Sequence, residues 1–377
     1  MTHSELPLEG TLVVDVSRML PGAVLARQLI DLGARLIKVE EPGAGDPMRM
    51  VPPYFDDVGL GFAVYLRGAE SVCLDLASSR DRDRLRGLAE RADVLVESFR
   101  PGTMEGWGLG HADLEPLNRR LVWCSLSSYG RAPEVRRRVA HDLNLVAETG
   151  ALTSMSPDGL PRIQLADVGA GLLAGSAILA ALLRRERTGR GGRIDQPLAA
   201  GALAFMVWRW AESVAGREQV VDLLLGSGCP CYRTYRCADG GRIAVAALEP
   251  KFWLGFLELL GLSDELASEA FAVGPECARV VARIEERLAE GVREGWLRRA
   301  NERELPMSAV REAADAVADP LFVAAGLVGP VDLPGGGELP GVGSLFPDLG
   351  RAPRRPAPKL GEHTEAVLAE LASAGGS

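Results

Sequence analysis

Short apolar, β-branched runs alternate with stretches of helical spacing through the first half of the chain. TLVVDVS (11–17) is such a run, and in the PGAVLARQLIDLGA that follows, Val24, Leu25 and Ile30 recur at helical spacing up to a stopping Gly33. LIKVEEP reads as the next strand. Strand, helix and strand within about 30 residues make a βαβ unit, which calls for a right-handed crossover and a parallel sheet. The alternation continues through SVCLDLA (71–77, strand), a polar, Arg-rich helix over 78–91, DVLVESF (93–99, strand) and LVWCSLSSYG (121–130, strand). The pattern predicts an α/β fold whose large domain is Rossmann-like with a parallel sheet. The longest uncharged run, Val168 to Leu183, is interrupted by glycines and falls short of the roughly 18 to 20 apolar residues of a membrane span, so it reads as a buried helix.

The pattern changes past the helical GALAFMVWRWAESVAG (201–216). TYRCADG and RIAVAAL read as a hairpin turning at Asp239, Gly240 and Gly241, with amphipathic helices from Lys251 to about Asn301. The expected organisation is a large domain over 1–200, completed by 330–377, a linker helix over 201–224 and a smaller α+β domain over 225–325. After Asp319–Pro320 the Gly- and Pro-rich LPGGGELPGVGSLFPDLG is expected to wrap rather than form a core. PAPKLGEHTEAVLAELA closes the chain with a short helix, where His363 reads as a cap or surface residue.

Composition narrows the partners. The 377 residues are 47% hydrophobic and 25% charged with a net charge of −9, enough for a large core and two domains. Only Lys38, Lys251 and Lys359 are lysines, so guanidinium groups must do any phosphate gripping. An acidic chain without a basic tract disfavours nucleic acid. MTHSELPLEG lacks the basic and apolar regions of a leader, which predicts a cytoplasmic protein with no membrane partner. Cysteines 73, 124, 229, 231, 237 and 277 form no CxxC pair, and no His lies near CPCYRTYRC; free core thiols are expected and no metal.

One imidazole and one carboxylate stand out: His141 in AHDLNL and Asp167 in LADVGAGLLAG, near the start of the long uncharged helix. Such groups on opposite faces of a carbon can remove a proton from one side and return one to the other. Asp167 is also placed to cap its helix, whose first amides could hold an enolate oxygen. SRMLPGA at the first strand–helix turn is not a GxGxxG, which disfavours a nicotinamide or flavin dinucleotide there. Arg100, with Pro101 and Gly102, lies at a strand end where α/β sheets bind ligands. Arg136, Arg137 and Arg138, just before His141, are either a solvated loop or a phosphate clamp. Glu249, before Pro250, is an exposed loop acid or a partner that orients an imidazole.

Assembled in order, LEGTLVVDVS, DLGARLIKVEEP, ADVLVESFRPGTMEGWGLG, AHDLNL, LADVGAG, the CPCYRTYRCADG block with ALEP, the DP at 319–320 and PAPKLGEHT resemble the family III CoA-transferases over nearly the whole chain, and within them the α-methylacyl-CoA racemases. The resemblance implies acyl-CoA chemistry of lipid metabolism, with no cofactor beyond the CoA moiety of the substrate. Asp167 matches an aspartate that is an acyl-carrying nucleophile in the transferases and a proton-transfer residue in the racemases. His141 matches the racemases' GHDxNY-like motif. Glu249 matches a glutamate that pairs with that histidine from the partner's small domain, which implies an interlocked homodimer. CoA contacts carried over are Met19, Leu74, Phe99 and Arg100, with Lys38 and Arg67 beside them. The chain departs from the pattern at Glu41, Ala69, Glu70 and Gly106, where racemases often offer arginines, in YGRAPE for YGxxGP, and at Leu145 for tyrosine. Arg136, Arg137 and Arg138 are the candidates to compensate. The expected reaction is inversion at C2 of a 2-methyl-branched acyl-CoA through an enolate. The alternatives are CoA transfer between carboxylic acids through an Asp167 acyl intermediate, and non-catalytic acyl-CoA binding.

Overall fold

The computed structural model describes residues 6–155, 160–216, 224–351 and 353–373. The start of the MTHSELPLEG segment and part of the expected linker helix, residues 217–223, lie outside the described residues. The chain divides into two units, residues 1–206 with 317–377, and residues 207–316.

In the first unit, β1 (Leu12–Asp15), β2 (Arg35–Glu40), β3 (Glu70–Cys73), β4 (Val94–Glu97), β5 (Val122–Ser127) and β6 (Gly192–Pro197) form one six-stranded sheet in the order β3-β2-β1-β4-β5-β6. Every pairing is parallel. This is the doubly wound α/β architecture expected from the alternating runs. Successive strand residues feed opposite layers, as a two-residue period requires: Val13 and Leu36 pack in one core with Leu29 and Ile178, Val14 and Ile37 in the other with Leu85 and Trp123. β6 was not expected. Its sequence, GRIDQP, carries Arg193 and Asp195 and pairs on one side only, so it has no apolar run to announce it.

The first helix, α1 (Met19–Asp31), is almost wholly buried, and the long α4 (Leu165–Thr188) packs directly on it. α2 (Ser79–Ala89) and α3 (Asp142–Glu148) lie between them in sequence. Gly171 and Gly175 permit the close approach of α4 and α1: a Cβ on Gly171 would stand 2.7 Å from the Pro21 carbonyl oxygen, and one on Gly175 would meet the Gln28 side chain at 2.5 Å. Gln28 Nε2 donates to the Gly171 carbonyl at 2.9 Å across the contact. α4 is long and apolar enough to cross a membrane by length and composition, and half of its most apolar window is buried in the fold.

The Gly- and Pro-rich segment after residue 320 differs from expectation. It contains an antiparallel hairpin, β10 (Val328–Asp332) with β11 (Glu338–Val342), because Gly335, Gly336 and Gly337 supply the positive φ values that let the turn close. The closing helix, α9 (Thr364–Ser373), docks beside the edge strand β3. His363 stands at the N-cap position of this helix, its carbonyl accepting from the Val367 N–H at 3.0 Å, and it is also tied to β3: its backbone N–H donates to the Ser71 carbonyl at 2.9 Å, and its Nδ1 accepts from the Ser71 N–H at 3.2 Å.

The second unit contains the expected hairpin, β7 (Tyr232–Arg236) with β8 (Arg242–Ala246), turning through residues 237–241. A third strand, β9 (Met307–Ala309), completes the sheet. Helices α6 (Pro250–Leu260), α7 (Gly274–Leu288) and α8 (Arg293–Asn301) cover it around Trp253, Phe256 and Tyr235. Helix α5 (Ala199–Val214) carries the chain into this unit.

Candidate active site

A strand order that runs outward in both directions from β1 opens a crevice at the carboxyl ends of β1 and β4, where such sheets bind ligands. A cavity of about 200 Å³ lies there. Its walls come from the residues just past four strand ends: Ser17 and Arg18 after β1, Glu41 after β2, Leu74 to Ala77 after β3, and Phe99 after β4. Trp107 closes the apolar side, edge-on to Phe99 at 5.1 Å. Leu74 and Phe99, both expected at a nucleotide, are brought together here. Arg18, Trp107 and Ser17 were not singled out in the sequence, although Trp107 stands inside the quoted GWGLG.

Phe99 also borders a second recess of about 90 Å³, which gathers Arg100, Arg136, Arg137 and Arg138 with Tyr129. These arginines, distant in sequence, do form one basic rim. They are not equivalent. Arg138 is held by Glu148 at 2.5 Å and lies over the Tyr129 ring, whose hydroxyl donates to the same carboxylate. Arg100, Arg136 and Arg137 have no ion pair among the described residues and are exposed.

His141 precedes the first residue of α3 and is exposed, its backbone N–H donating to Asn144 Oδ1 at 3.1 Å. Asp167 is the third residue of α4, half-buried. The two are close enough that the imidazole charge lowers the proton affinity of the carboxyl, yet burial and the neighbouring Asp142 carboxylate outweigh it and push Asp167 up to about 6. The expected capping role falls to a different residue. Asp142 Oδ1 accepts from the amides of Ala166 at 2.7 Å and Asp167 at 3.1 Å, so it caps α4 from across the chain, and Asp167 is freed from that duty. These amides are therefore engaged and unavailable as the expected enolate donors. The Val168 amide already bonds the Gln164 carbonyl.

Two proposed CoA contacts turn out to be internal. Lys38 has 1% of its surface exposed and places its ammonium 3.1 Å from both Asp15 and Asp46. Burial alone would depress its pKa, but the two carboxylates hold it above its ordinary value. A buried, doubly paired ammonium cannot reach a phosphate. Arg67 is likewise buried and donates to the carbonyls of Val342 and Gly343 at 2.7 and 2.8 Å, at the end of the β10–β11 hairpin. Met19 opens α1 with a left-handed φ of 67°, its backbone N–H donating to Asp46 Oδ1 at 3.2 Å, and is partly exposed. Glu249 belongs to the second unit, exposed immediately before α6.

Sequence reading missed a further carboxyl. Glu97 ends β4 almost fully buried, in register with Ser125 and, beyond it, Asp195. Burial pushes it up to about 7, with Arg131 at 3.7 Å opposing. The VLVES run signalled a strand, and nothing local signalled that its last residue faces inward.

The sequence matches the description of CoA-transferase family III over residues 8–364. The chain belongs to that family. Among its family III relatives, it is 36% identical to the human α-methylacyl-CoA racemase over 272 residues, covering 70% of this chain and 68% of the racemase. It is 29% identical to the mouse succinyl-CoA:glutarate CoA-transferase over 377 residues, covering 97% and 86%. A solved CaiB/BaiF family protein from Brucella suis superposes with a TM-score of 0.82 at 28% identity, covering 98% of this chain and all of that one. Family III membership accounts for the α/β sheet and makes an acyl-CoA enzyme of the chain; racemases and transferases stand among the relatives at similar identity.

Proposed function

We propose that the protein inverts the C2 centre of a 2-methyl-branched acyl-CoA by 1,1-proton transfer. The observation that carries this reading is Asp167, half-buried at the start of α4, raised to about 6 by burial and by Asp142 and lying near enough to His141 to feel its charge. An acid of that strength keeps an appreciable protonated fraction near neutral pH while still able to release its proton. The thioester acidifies C2. His141 takes the C2 proton on one face, giving an enolate, and protonated Asp167 delivers a proton on the other; solvent exchange resets both groups. Glu249, supplied by the partner in an interlocked homodimer, orients the imidazole. Phe205, Val207, Trp208 and Val214 lie exposed along α5, an apolar stripe of the kind that subunit contacts cover. The crevice at the β1–β4 switch point takes the adenosine end of CoA, and Arg100, Arg136 and Arg137 grip its diphosphate. The reaction needs no redox step and no group beyond the substrate's own CoA.

The mouse transferase, similar over nearly the whole chain, favours a second reading: Asp167 as a nucleophile that attacks the thioester carbonyl and expels the CoA thiolate, leaving an acyl anhydride on the enzyme. Incubating a 2-methylacyl-CoA in deuterated water and following C2 by NMR separates the two. Deuterium entry with loss of chirality and no added acid is the expected result. Exchange of CoA that depends on a second carboxylic acid, with C2 untouched, would replace the first reading by the second.

A further inference from the structure

The switch-point crevice is lined by four carboxylates, Glu40, Glu41, Asp46 and Asp75, against one guanidinium, Arg18. Glu40 is neutralised by Arg49 at 2.7 Å and Asp46 by Lys38 at 3.1 Å, both from behind the wall. That leaves Glu41, Asp75 and Arg18 facing the cavity. Arg18 is held by Glu41 at 3.2 Å. Asp75 accepts the Ala77 amide at 2.9 Å and has no cation beside it among the described residues. The hydroxyl of Ser17, buried and without a hydrogen-bond partner among the described residues, belongs to the same lining.

The position of Glu41 carries the consequence. In a β1-α1-β2 nucleotide fold, a carboxylate just beyond β2 accepts hydrogen bonds from ribose hydroxyls, whereas an arginine nearby accommodates a ribose phosphate. Glu41 directly follows β2, and the neighbouring Arg18 is already neutralised by it. A ribose with free hydroxyls offers donors to Glu41 and Asp75. A ribose 3′-phosphate would bring a dianion against both and would have to pull Arg18 from its partner. Resting on the reading that this crevice takes the adenosine end of a CoA thioester, we infer that Glu41 takes away any gain from the 3′-phosphate, so that 3′-dephospho-CoA thioesters serve at least as well as CoA thioesters.

Calorimetric titration of the full chain with CoA and with 3′-dephospho-CoA tests this directly. The expected Kd of 3′-dephospho-CoA lies within about threefold of that of CoA or below it, and Glu41→Arg shifts the ratio toward CoA by about tenfold or more. Wild-type protein that binds CoA about tenfold tighter than its dephospho form overturns the inference while leaving the adenosine site intact. An unchanged ratio in Glu41→Arg overturns the role given to Glu41. If neither nucleotide binds at millimolar concentration, the assignment of the crevice to CoA fails, and the inference with it.

Discussion

Asp142→Asn isolates the electrostatic element of the candidate site. Asparagine retains an Oδ1 in place to accept the Ala166 and Asp167 amides, so α4 keeps its cap and loses only the charge at its N-terminus, worth up to about 1 kcal/mol. The charge that helps push Asp167 up to about 6 is removed at the same time. At pH 7 a carboxyl with a pKa of about 6 is protonated in roughly one molecule in eleven, against roughly one in 1,600 at the ordinary value of 3.8. If Asp142 supplies about one pH unit of that rise, the substitution cuts the protonated fraction at pH 7 about tenfold. The racemase reading uses Asp167 as the acid that reprotonates C2. It therefore predicts that the descending limb of the epimerisation profile moves down by about one pH unit and that the rate at pH 7 falls about tenfold. Deuterium wash-in at C2, followed from pH 5 to 9, reads both quantities, and the melting temperature reports that the fold is intact. A limb that stays in place, or moves to higher pH, with Tm unchanged would refute the reasoning. A wash-in rate with no descending limb up to pH 9 would mean that Asp167 works ionised, as a transferase nucleophile must.

Replacing Lys38 with Met leaves the Asp15 and Asp46 carboxylates buried around an apolar group, and urea unfolding should show a loss of about 3 to 5 kcal/mol. The Arg136→Ala, Arg137→Ala double variant should raise KM for an acyl-CoA several-fold with kcat unchanged and weaken the salt dependence of KM; an unchanged KM would return both residues to solvent. Glu97, buried and raised from 4.5 to about 7, binds more protons folded than unfolded between those values, so its contribution is complete below pH 4.5 and fades as pH climbs through 7. Glu97→Gln should abolish that decline, of the order of 3 kcal/mol, in ΔG measured by urea at pH 4.5 and 8.

What could be read from the sequence was what local pattern encodes. β1 to β5 are apolar runs in a doubly covered sheet; β1, β4 and β5 lie within their expected segments, and β2 and β3 each begin one residue before theirs and end short of it. β6 was hidden because an edge strand bearing Arg193 and Asp195 has no such run. Lys38 was expected at the CoA until the fold brought Asp15 and Asp46 to it from other segments. The same is true of Asp142, whose amide partners stand 24 and 25 residues further along. Helix capping could be anticipated, but not which carboxylate would do it, since this depends on where α3 is packed. His141 and Asp167 could be picked out by residue type; only the fold supplies the second aspartate that adjusts one of them.

The contact between Ser71 and residues 361–364 has a bearing on how the chain is made. Sheet borders left bare recruit strands from other molecules, and here the bare border of β3 is covered by the Gly361 and His363 amides, the His363 ring and the Thr364 hydroxyl. These groups are translated well after the six strands and after an entire second unit has been threaded between the halves of the first. Until they emerge, the nascent sheet carries an open flank, so a chain shortened before Gly361 should form its six strands and still self-associate.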